Sequence, residues 1–297
     1  MSNKQICLCI ACGIVVSLLL LFANHYYIVD LCLNNDVSFL NDNDDLHLRQ
    51  KLNNNNIMIP SRFAGCKMVY LDVGTNIGVQ IRKLFEPSRY PSAEVTRFFD
   101  EFFGPKRNEN KKDLCAIGIE MNPSHTRRLS ALESHYASNC GYRVHIFTET
   151  AATVYDGSIM FFSDDDYSHE EWGASTQAVA THIHKWSNRT VRAMDLAAFI
   201  LHEIMPHATT IVMKLDIEGA EHNVFPRLLA KGVLCAINLL FVETHQRMMT
   251  KEQWTVFQGL YDLYPALSAA AGCNNSTLST VDDESYLHDV DQTMNTC

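Results

Sequence analysis

Two stretches of the chain carry residues whose types and spacing could bind a nucleoside-bearing ligand. In Asp72-Val73-Gly74-Thr75-Asn76-Ile77-Gly78, the glycines would let backbone N–H groups approach such a ligand closely. Taken alone, this run is as typical of a tight strand-to-helix turn. Glu120 adds a carboxylate that can accept hydrogen bonds from both hydroxyls of a ribose. Since neither stretch supplies a lysine for a triphosphate, together they favour a nucleoside-bearing cofactor over a phosphate donor.

A second group of charged residues alternates along the chain. Lys214, Asp216 and Glu218 are spaced two residues apart, so an extended backbone that continues through Glu218 would present all three to one side of a cleft. A structural alternative is an ion pair between Lys214 and Asp216, with Glu218 and Glu221 at the favourable end of a helix.

Short apolar runs alternate along the chain with segments in which apolar residues recur at helical spacing. This pattern predicts the strands and helices that position these residues. Because such strands and helices form βαβ units, we predict an α/β fold with a mostly parallel sheet flanked by helices, and a ligand site beyond the carboxyl ends of the strands. The predicted strands are 67–73, 114–119, 144–147, 158–162, 211–216 and 236–242, and the predicted helices are 77–85, 125–137, 221–231 and 251–263.

Two other regions interrupt this alternation. In the insertion from Pro87 to Lys112, aromatic residues at helical spacing (Phe98, Phe99, Phe102 and Phe103) predict a short amphipathic helix whose stripe packs in the core. The tail from Tyr264 to Asp291 could hold two closing strands around a polar Asn274-Asn275-Ser276 turn.

Composition excludes several classes of protein. The chain has 297 residues, of which 47% are hydrophobic and 20% charged, as in a folded globular protein rather than a disordered or polytopic membrane chain. The net charge is -10, and no Lys/Arg-rich run is present, which argues against a nucleic-acid partner. The oligomeric state is left open by the sequence.

Five blocks in order resemble the FkbM-type S-adenosylmethionine-dependent methyltransferases. They are Leu71 to Gly78, Ile119 to Pro123, Ala151-Ala152 before Gly157-Ser158-Ile159, Met213 to Glu221, and Leu240 to His245. The resemblance implies a Rossmann-like class I methyltransferase fold, S-adenosylmethionine as cofactor, and methyl transfer to an oxygen. It implies that Glu120 holds the ribose and that Glu149 contacts adenine, although an ordinary strand-end acid is an equal alternative for Glu149. The remaining cofactor-binding candidates are Asp72, Gly74, Asn76 and Gly78.

Methylation of a hydroxyl requires removal of its proton, so a carboxylate or a histidine is needed near the acceptor. Asp216 is the first candidate, flanked by Lys214 and Glu218, and Glu243 and His245 at the end of the next strand follow. The same acids with His245 could gather a divalent ion of the Mg²⁺ or Mn²⁺ type. Because no compact metal motif is present, the sequence does not favour a metal, and we predict none.

The N-terminal segment predicts a membrane anchor, with a cleaved signal peptide as the alternative that its long apolar run and poor small-residue site disfavour. Residues 6–23 are apolar and uncharged, and at about 1.5 Å per helical residue they span roughly 27 Å, enough for a thin bilayer. The preceding tail (1–5) carries Lys4, whereas acids dominate the other flank, so we predict a cytosolic N-terminus and a lumenal domain. An Asn/Asp-rich stem (24–56) would then lead to one catalytic domain (57–297).

These expectations combine into a single-pass type II membrane glycoprotein of the Golgi or endoplasmic reticulum. Asn188-Arg189-Thr190 and Asn274-Asn275-Ser276 are acceptor patterns for glycosylation there. The expected function is O-methylation of a glycan. Three alternatives remain: an O-methyltransferase of a small lipid or polyketide-like hydroxyl, an inactive cofactor-fold binding module, and a nicotinamide dehydrogenase, which the missing third loop glycine disfavours.

Overall fold

The computed structural model describes residues 61–164, 175–176, 186–273 and 276–279. The chain divides into two compact units, and the second, Phe63–Ala269 with Cys273–Cys297, contains the architecture that follows. The predicted anchor and stem lie outside the described residues. Within the described ranges, none of the helices has the length and apolar character needed to cross a bilayer.

Six parallel strands form the main sheet, in the spatial order β3-β2-β1-β7-β8-β9. A second sheet has three strands in the order β4-β6-β5, with β5 antiparallel to β6. The strands are β1 (Met68–Val73), β2 (Leu114–Ile119), β3 (Arg143–Phe147), β4 (Thr150–Thr153), β5 (Gly157–Asp164), β6 (Trp186–Asp195), β7 (Thr210–Leu215), β8 (Leu239–Val242) and β9 (Thr277–Ser279).

Helices cover both faces of the main sheet. They are α1 (Val79–Phe85), α2 (Val95–Phe103), α3 (Thr126–Ser134), α4 (Leu196–Phe199), α5 (Glu221–Ala230) and α6 (Lys251–Ala270), with π-helical turns at His135–Asn139 after α3 and Ile200–Ile204 after α4. Short 3₁₀ helices lie at Pro87–Arg89, Arg107–Glu109, Pro123–His125, Val233–Ala236 and Gln246–Met248.

The alternation of side chains along β1 explains this layered arrangement. Val69, Leu71 and Val73 point to a core formed with α4, α5 and α6, whereas Tyr70 points to a second core formed with α1, α2 and α3. Because both faces are covered, the strands can be apolar throughout, as parallel strands usually are. The predicted α/β fold with a mostly parallel sheet is confirmed.

The insertion and the tail give different outcomes. Helix α2 forms as predicted, and its Phe99 and Phe103 are buried in the core, which confirms the packing role of the aromatic stripe. The prediction of two strands in the tail is wrong for its first part, because α6 continues to Ala270 through Pro265. The later strand β9 pairs in parallel with β8, and residues 280–297 lie outside the described part of the chain.

Disulfide bonds between described residues link elements of this unit. Cys66, which precedes β1, is bonded to Cys115 in β2, and Cys235 is bonded to Cys273 beyond the end of α6. Each bond closes a segment of the chain, which restricts the unfolded state and thereby stabilises the fold.

Candidate functional site

An open cleft of about 590 Å³ lies at the carboxyl ends of the main-sheet strands. That volume includes open solvent, and the position of the cleft is the one expected for ligands in a parallel α/β sheet. The residues after β1, β2 and β7 contribute Gly74, Asn76, Glu120, Asp216 and Glu218, and β4 contributes Thr150 to Ala152.

The turn after β1 depends on Gly74. Its backbone has φ +85°, a left-handed conformation, and it approaches the next strand so closely that a Cβ here would lie 1.7 Å from the carbonyl oxygen of Asp216. That carbonyl cannot simply move aside, since the backbone N–H of Asp216 donates a hydrogen bond to the carbonyl of Val73 at 2.9 Å. Glycine is therefore required where the β1 and β7 loops meet.

Glu120 is held rigidly at the edge of the cleft. Its two carboxylate oxygens accept hydrogen bonds from the backbone N–H groups of Asn76 and Asn122, each at 2.6 Å. Burial raises its pKa to about 7 against the opposing effect of those two N–H groups. Since each carboxylate oxygen has a second lone pair, Glu120 can still accept two hydroxyl donors from a ligand.

Asn76 offers another acceptor beside Glu120. It lines the cleft in a left-handed conformation, with φ 52°, and its side-chain Oδ1 is buried without a hydrogen-bond partner. Buried polar atoms are rarely left unpaired in folded proteins, so an orphaned acceptor at a cleft suggests a position for a ligand donor. The residues present therefore fit a nucleoside-bearing cofactor.

Asp72 lies behind the cleft rather than along it. The side chain is fully buried, pairs in register with Lys214 of β7, and receives a 3.4 Å hydrogen bond from the hydroxyl of Tyr70. Burial raises its pKa to about 7, although Lys214 opposes the shift. A carboxyl group with a raised pKa in the folded state is stabilising while protonated, and this contribution disappears as the pH rises through 7.

We expect Asp72→Asn to flatten the pH dependence of stability. Because the folded pKa of Asp72 is about 7 and its ordinary value is 3.8, the wild-type free energy of unfolding should fall between pH 5 and pH 8, by an amount on the order of a few kcal/mol. Urea unfolding at the two pH values measures this fall. The variant should lose less, and the exposed control Asp262→Asn should behave like wild type; an equal fall in all three proteins would contradict the assignment.

His245, directly after β8, is the centre of an acidic cluster beside the cleft. Its Nδ1 contacts Glu221 at 3.0 Å. Its Nε2 faces oxygens of Glu218 and Glu243, each at 3.5 Å, and of Asp216 at 3.6 Å. The imidazole is 5% exposed. Four carboxylates therefore surround the His245 ring, and two of them, those of Asp216 and Glu218, line the cleft.

The protonation equilibria of this cluster follow from burial and charge. Although burial lowers the pKa of His245, its interactions with Glu221 and Glu243 outweigh burial and raise it to about 11, so the free protein holds an imidazolium. Burial raises the pKa of Glu218 to about 7 and raises that of Asp216 against the effect of Lys214. His245 lowers the pKa of Glu243.

Glu221 fixes this geometry, and the sequence alone did not mark it as a site residue. It is fully buried at the start of α5, and its carboxylate accepts hydrogen bonds from the N–H groups of Ile217 and Gly219, each at 2.9 Å, as well as facing His245. The sequence signal that could have identified Glu221 is its place in the block from Met213 to Glu221. The sequence also did not mark His125, which is buried and lines the cleft.

The other predicted residues lie at varying distances from the cleft. Lys214 donates to Oδ2 of Asp216 at 2.5 Å without lining the cleft. Gly78 begins α1, and a Cβ there would lie 2.4 Å from the side chain of Leu132 in α3, so its small size serves packing. Glu149 is exposed and accepts a hydrogen bond from Thr126 at 3.2 Å. The cofactor roles of Gly78, Glu149 and Asp72 stay predictions.

Comparison with known proteins adds two matches. A family model described as the methyltransferase FkbM domain matches residues 72–297. A solved structure, that of methyltransferase FkbM from Methylobacillus flagellatus KT, is similar with 17% sequence identity and a TM-score of 0.35, over 70% of this chain and 38% of that chain. This chain therefore spans well under half the length of that protein. No curated protein matches the sequence.

Proposed function

Because this chain belongs to the FkbM methyltransferase family, we propose that it is an S-adenosylmethionine-dependent methyltransferase that methylates a hydroxyl group. The observation that carries the proposal is the cleft itself. A nucleoside-type pocket at Glu120 and Asn76 adjoins the half-buried carboxylates of Asp216 and Glu218.

One end of the cleft is suited to the cofactor. Glu120 has lone pairs free for the ribose hydroxyls, and the backbone of Gly74 permits close approach of a ligand at the strand end. Asn76 Oδ1 supplies a further acceptor for donor groups of the cofactor. S-adenosylmethionine, when bound, supplies an electrophilic methyl group on a sulfonium.

At the other end of the cleft, two carboxylates can accept a proton. Burial raises the pKa of both Asp216 and Glu218, so each carboxylate is a stronger base than an exposed acid, and a general base works best with a pKa near the working pH. His245 is already protonated in the free protein and therefore serves to hold the carboxylates rather than to take the proton. Holding the two reactants side by side would supply much of the remaining acceleration.

We further propose that the acceptor is a glycan hydroxyl in the lumen of the secretory pathway. The apolar segment 6–23 with its flanking charges supports a type II anchor in the Golgi or endoplasmic reticulum. The disulfides Cys66–Cys115 and Cys235–Cys273 are consistent with an oxidising compartment.

The cofactor assignment predicts that Glu120→Gln loses affinity for S-adenosylmethionine. Replacing a buried carboxylate acceptor with an amide should weaken binding by about 10- to 100-fold, because hydrogen bonds to charged groups are strong. Isothermal calorimetry on the full chain measures this, with the exposed Glu252→Gln as control. Wild-type binding of NAD⁺ instead of S-adenosylmethionine would overturn the proposal in favour of a dehydrogenase.

The proposed topology predicts N-glycosylation of Asn188. Expression of the full chain in animal cells should give a protein whose mobility on a gel increases after endoglycosidase treatment, and Asn188→Gln should remove part or all of that shift. A wild-type chain with no shift would contradict lumenal exposure, since the acceptor patterns can be used only there.

A further inference from the structure

Three carboxylate oxygens converge on a single ring nitrogen beside the cleft. Oxygens of Glu218, Glu243 and Asp216 lie 3.5, 3.5 and 3.6 Å from His245 Nε2. These separations exceed those of ordinary hydrogen bonds between charged groups. We propose that Asp216, Glu218 and His245 bind a divalent cation of the Mg²⁺ or Mn²⁺ class.

The spacing of the ligand atoms suits one shared ion. Asp216, Glu218 and His245 each offer one ligand atom, and these three atoms all lie within 4.8 Å of one another. Ligands about 2.1 Å from a common ion lie roughly 3.0 to 3.5 Å apart, so only a small inward movement would complete the site. Two carboxylates and one imidazole are donors that Mn²⁺ accepts readily.

The surrounding residues orient the ligands as in known metal sites. Histidines that bind metals usually donate their other ring N–H to a carboxylate, and His245 Nδ1 faces the fully buried Glu221 at 3.0 Å. Lys214 holds Oδ2 of Asp216 at 2.5 Å, so the other oxygen, Oδ1, is the one directed at Nε2. Both contacts fix the donor atoms toward the same point.

A buried atom without a hydrogen bond and the local charge also favour a cation. Glu218 Oε2 is buried and has no hydrogen-bond partner, although it lies 3.5 Å from His245 Nε2 as an ion pair. Within the part of the chain that the structure describes, Lys214 and His245 are the cations that pair with this cluster of four carboxylates, and a histidine that binds an ion does so as the neutral imidazole. A divalent ion would offset this excess of negative charge, which the sequence alone could not show to be concentrated at one point.

The site opens toward the acceptor end of the cleft. Asp216 and Glu218 both line the cleft, so the remaining coordination positions would face it. An ion there could bind a sugar diol and make its hydroxyl more acidic. That catalytic role rests on the proposed methyl transfer, whereas the binding of the ion does not.

Electron paramagnetic resonance with Mn²⁺ as the probe tests the proposal. We expect the full chain, purified in mild detergent and treated with EDTA, to bind one Mn²⁺ and to show ¹⁴N coupling from an imidazole. Asp216→Asn and His245→Gln should each weaken binding by at least about 10-fold, and Glu221→Gln by about 10- to 100-fold. His145→Gln is the matched control: His145 pairs with Glu133 at 2.9 Å and belongs to a different group of residues from the proposed site, so this variant should bind Mn²⁺ as wild type does.

Absence of Mn²⁺ binding, or of ¹⁴N coupling, in the wild-type chain would overturn the site. An equal loss of Mn²⁺ in His145→Gln would do the same. The wild-type coupling decides the question even if a ligand variant fails to fold, which thermal melting would reveal. Calorimetry with S-adenosylmethionine on the same samples separates the two proposals: cofactor binding without Mn²⁺ refutes only the metal site, and Mn²⁺ binding without the cofactor refutes only the proposed function.

Discussion

Gly74→Ala is expected to abolish binding of S-adenosylmethionine and to destabilise the fold. The new methyl group would lie 1.7 Å from the Asp216 carbonyl oxygen, and the backbone has φ +85°. Because the obstacle is backbone rather than a flexible side chain, the β1 and β7 loops must separate. We expect the free energy of unfolding to fall by roughly 3 to 5 kcal/mol, from the collision and the left-handed conformation together. Calorimetry and denaturant unfolding measure the two effects.

Gly232→Ala separates the collision from the backbone conformation. Gly232 also has a left-handed backbone, with φ +69°, but no atom lies within 4 Å of the position its Cβ would take. This control should lose only about 1 to 2 kcal/mol and should bind the cofactor as wild type does. Unchanged cofactor affinity in Gly74→Ala would show that the turn after β1 does not form the cofactor site.

Asp216→Asn is expected to lower turnover while leaving cofactor affinity nearly unchanged. The amide keeps the shape of the side chain but can neither take a proton nor supply the charge that would hold a divalent ion, and loss of a general base alone usually lowers the rate by about 10²- to 10⁴-fold. Glu120, the carboxylate proposed to hold the cofactor, keeps its hydrogen bonds from the N–H groups of Asn76 and Asn122 in this variant. Steady-state kinetics with labelled S-adenosylmethionine gives kcat, and calorimetry on the same protein gives the cofactor Kd.

Two comparisons make the Asp216 result decisive. The exposed Asp262→Asn should leave kcat unchanged. Glu120→Gln should weaken cofactor binding, the opposite pattern to Asp216→Asn. If Asp216→Asn weakens cofactor binding as much as Glu120→Gln does, Asp216 belongs to the cofactor pocket and another residue removes the proton.

The fold was largely predictable because its signals are local. Strand β2 has the predicted bounds, and β1 differs by one residue, since each is a short apolar run closed by a turn residue. The predicted end of helix α6 is Leu263, but Tyr264 packs in the core and the helix continues through Pro265 to Ala270. Strands β4 and β6 were not predicted, because their pairing joins segments far apart in the sequence.

The sequence predicts which residues form the site better than it predicts how those residues are arranged. Asp216 and Glu218 line the cleft, but not through continued extension: β7 ends at Leu215, and Glu218 has φ 52°. The condition under which period-two spacing would present all three residues to one side, an extended backbone through Glu218, is therefore not met. The convergence on His245 depends on the register of β7 and β8 and on the hydrogen bonds that Glu221 accepts from the N–H groups of Ile217 and Gly219, neither of which a single sequence specifies.

The central claim is methyl transfer from S-adenosylmethionine to a hydroxyl, and transfer of a labelled methyl group tests it most directly. The full chain would be incubated with the labelled cofactor and a panel of glycans and hydroxyl-bearing lipids, with Asp216→Asn as the inactive comparison. We predict label in a base-stable methyl ether on a glycan with the wild-type chain and little with the variant. Cofactor binding without transfer to any acceptor would contradict the claim and indicate a binding module.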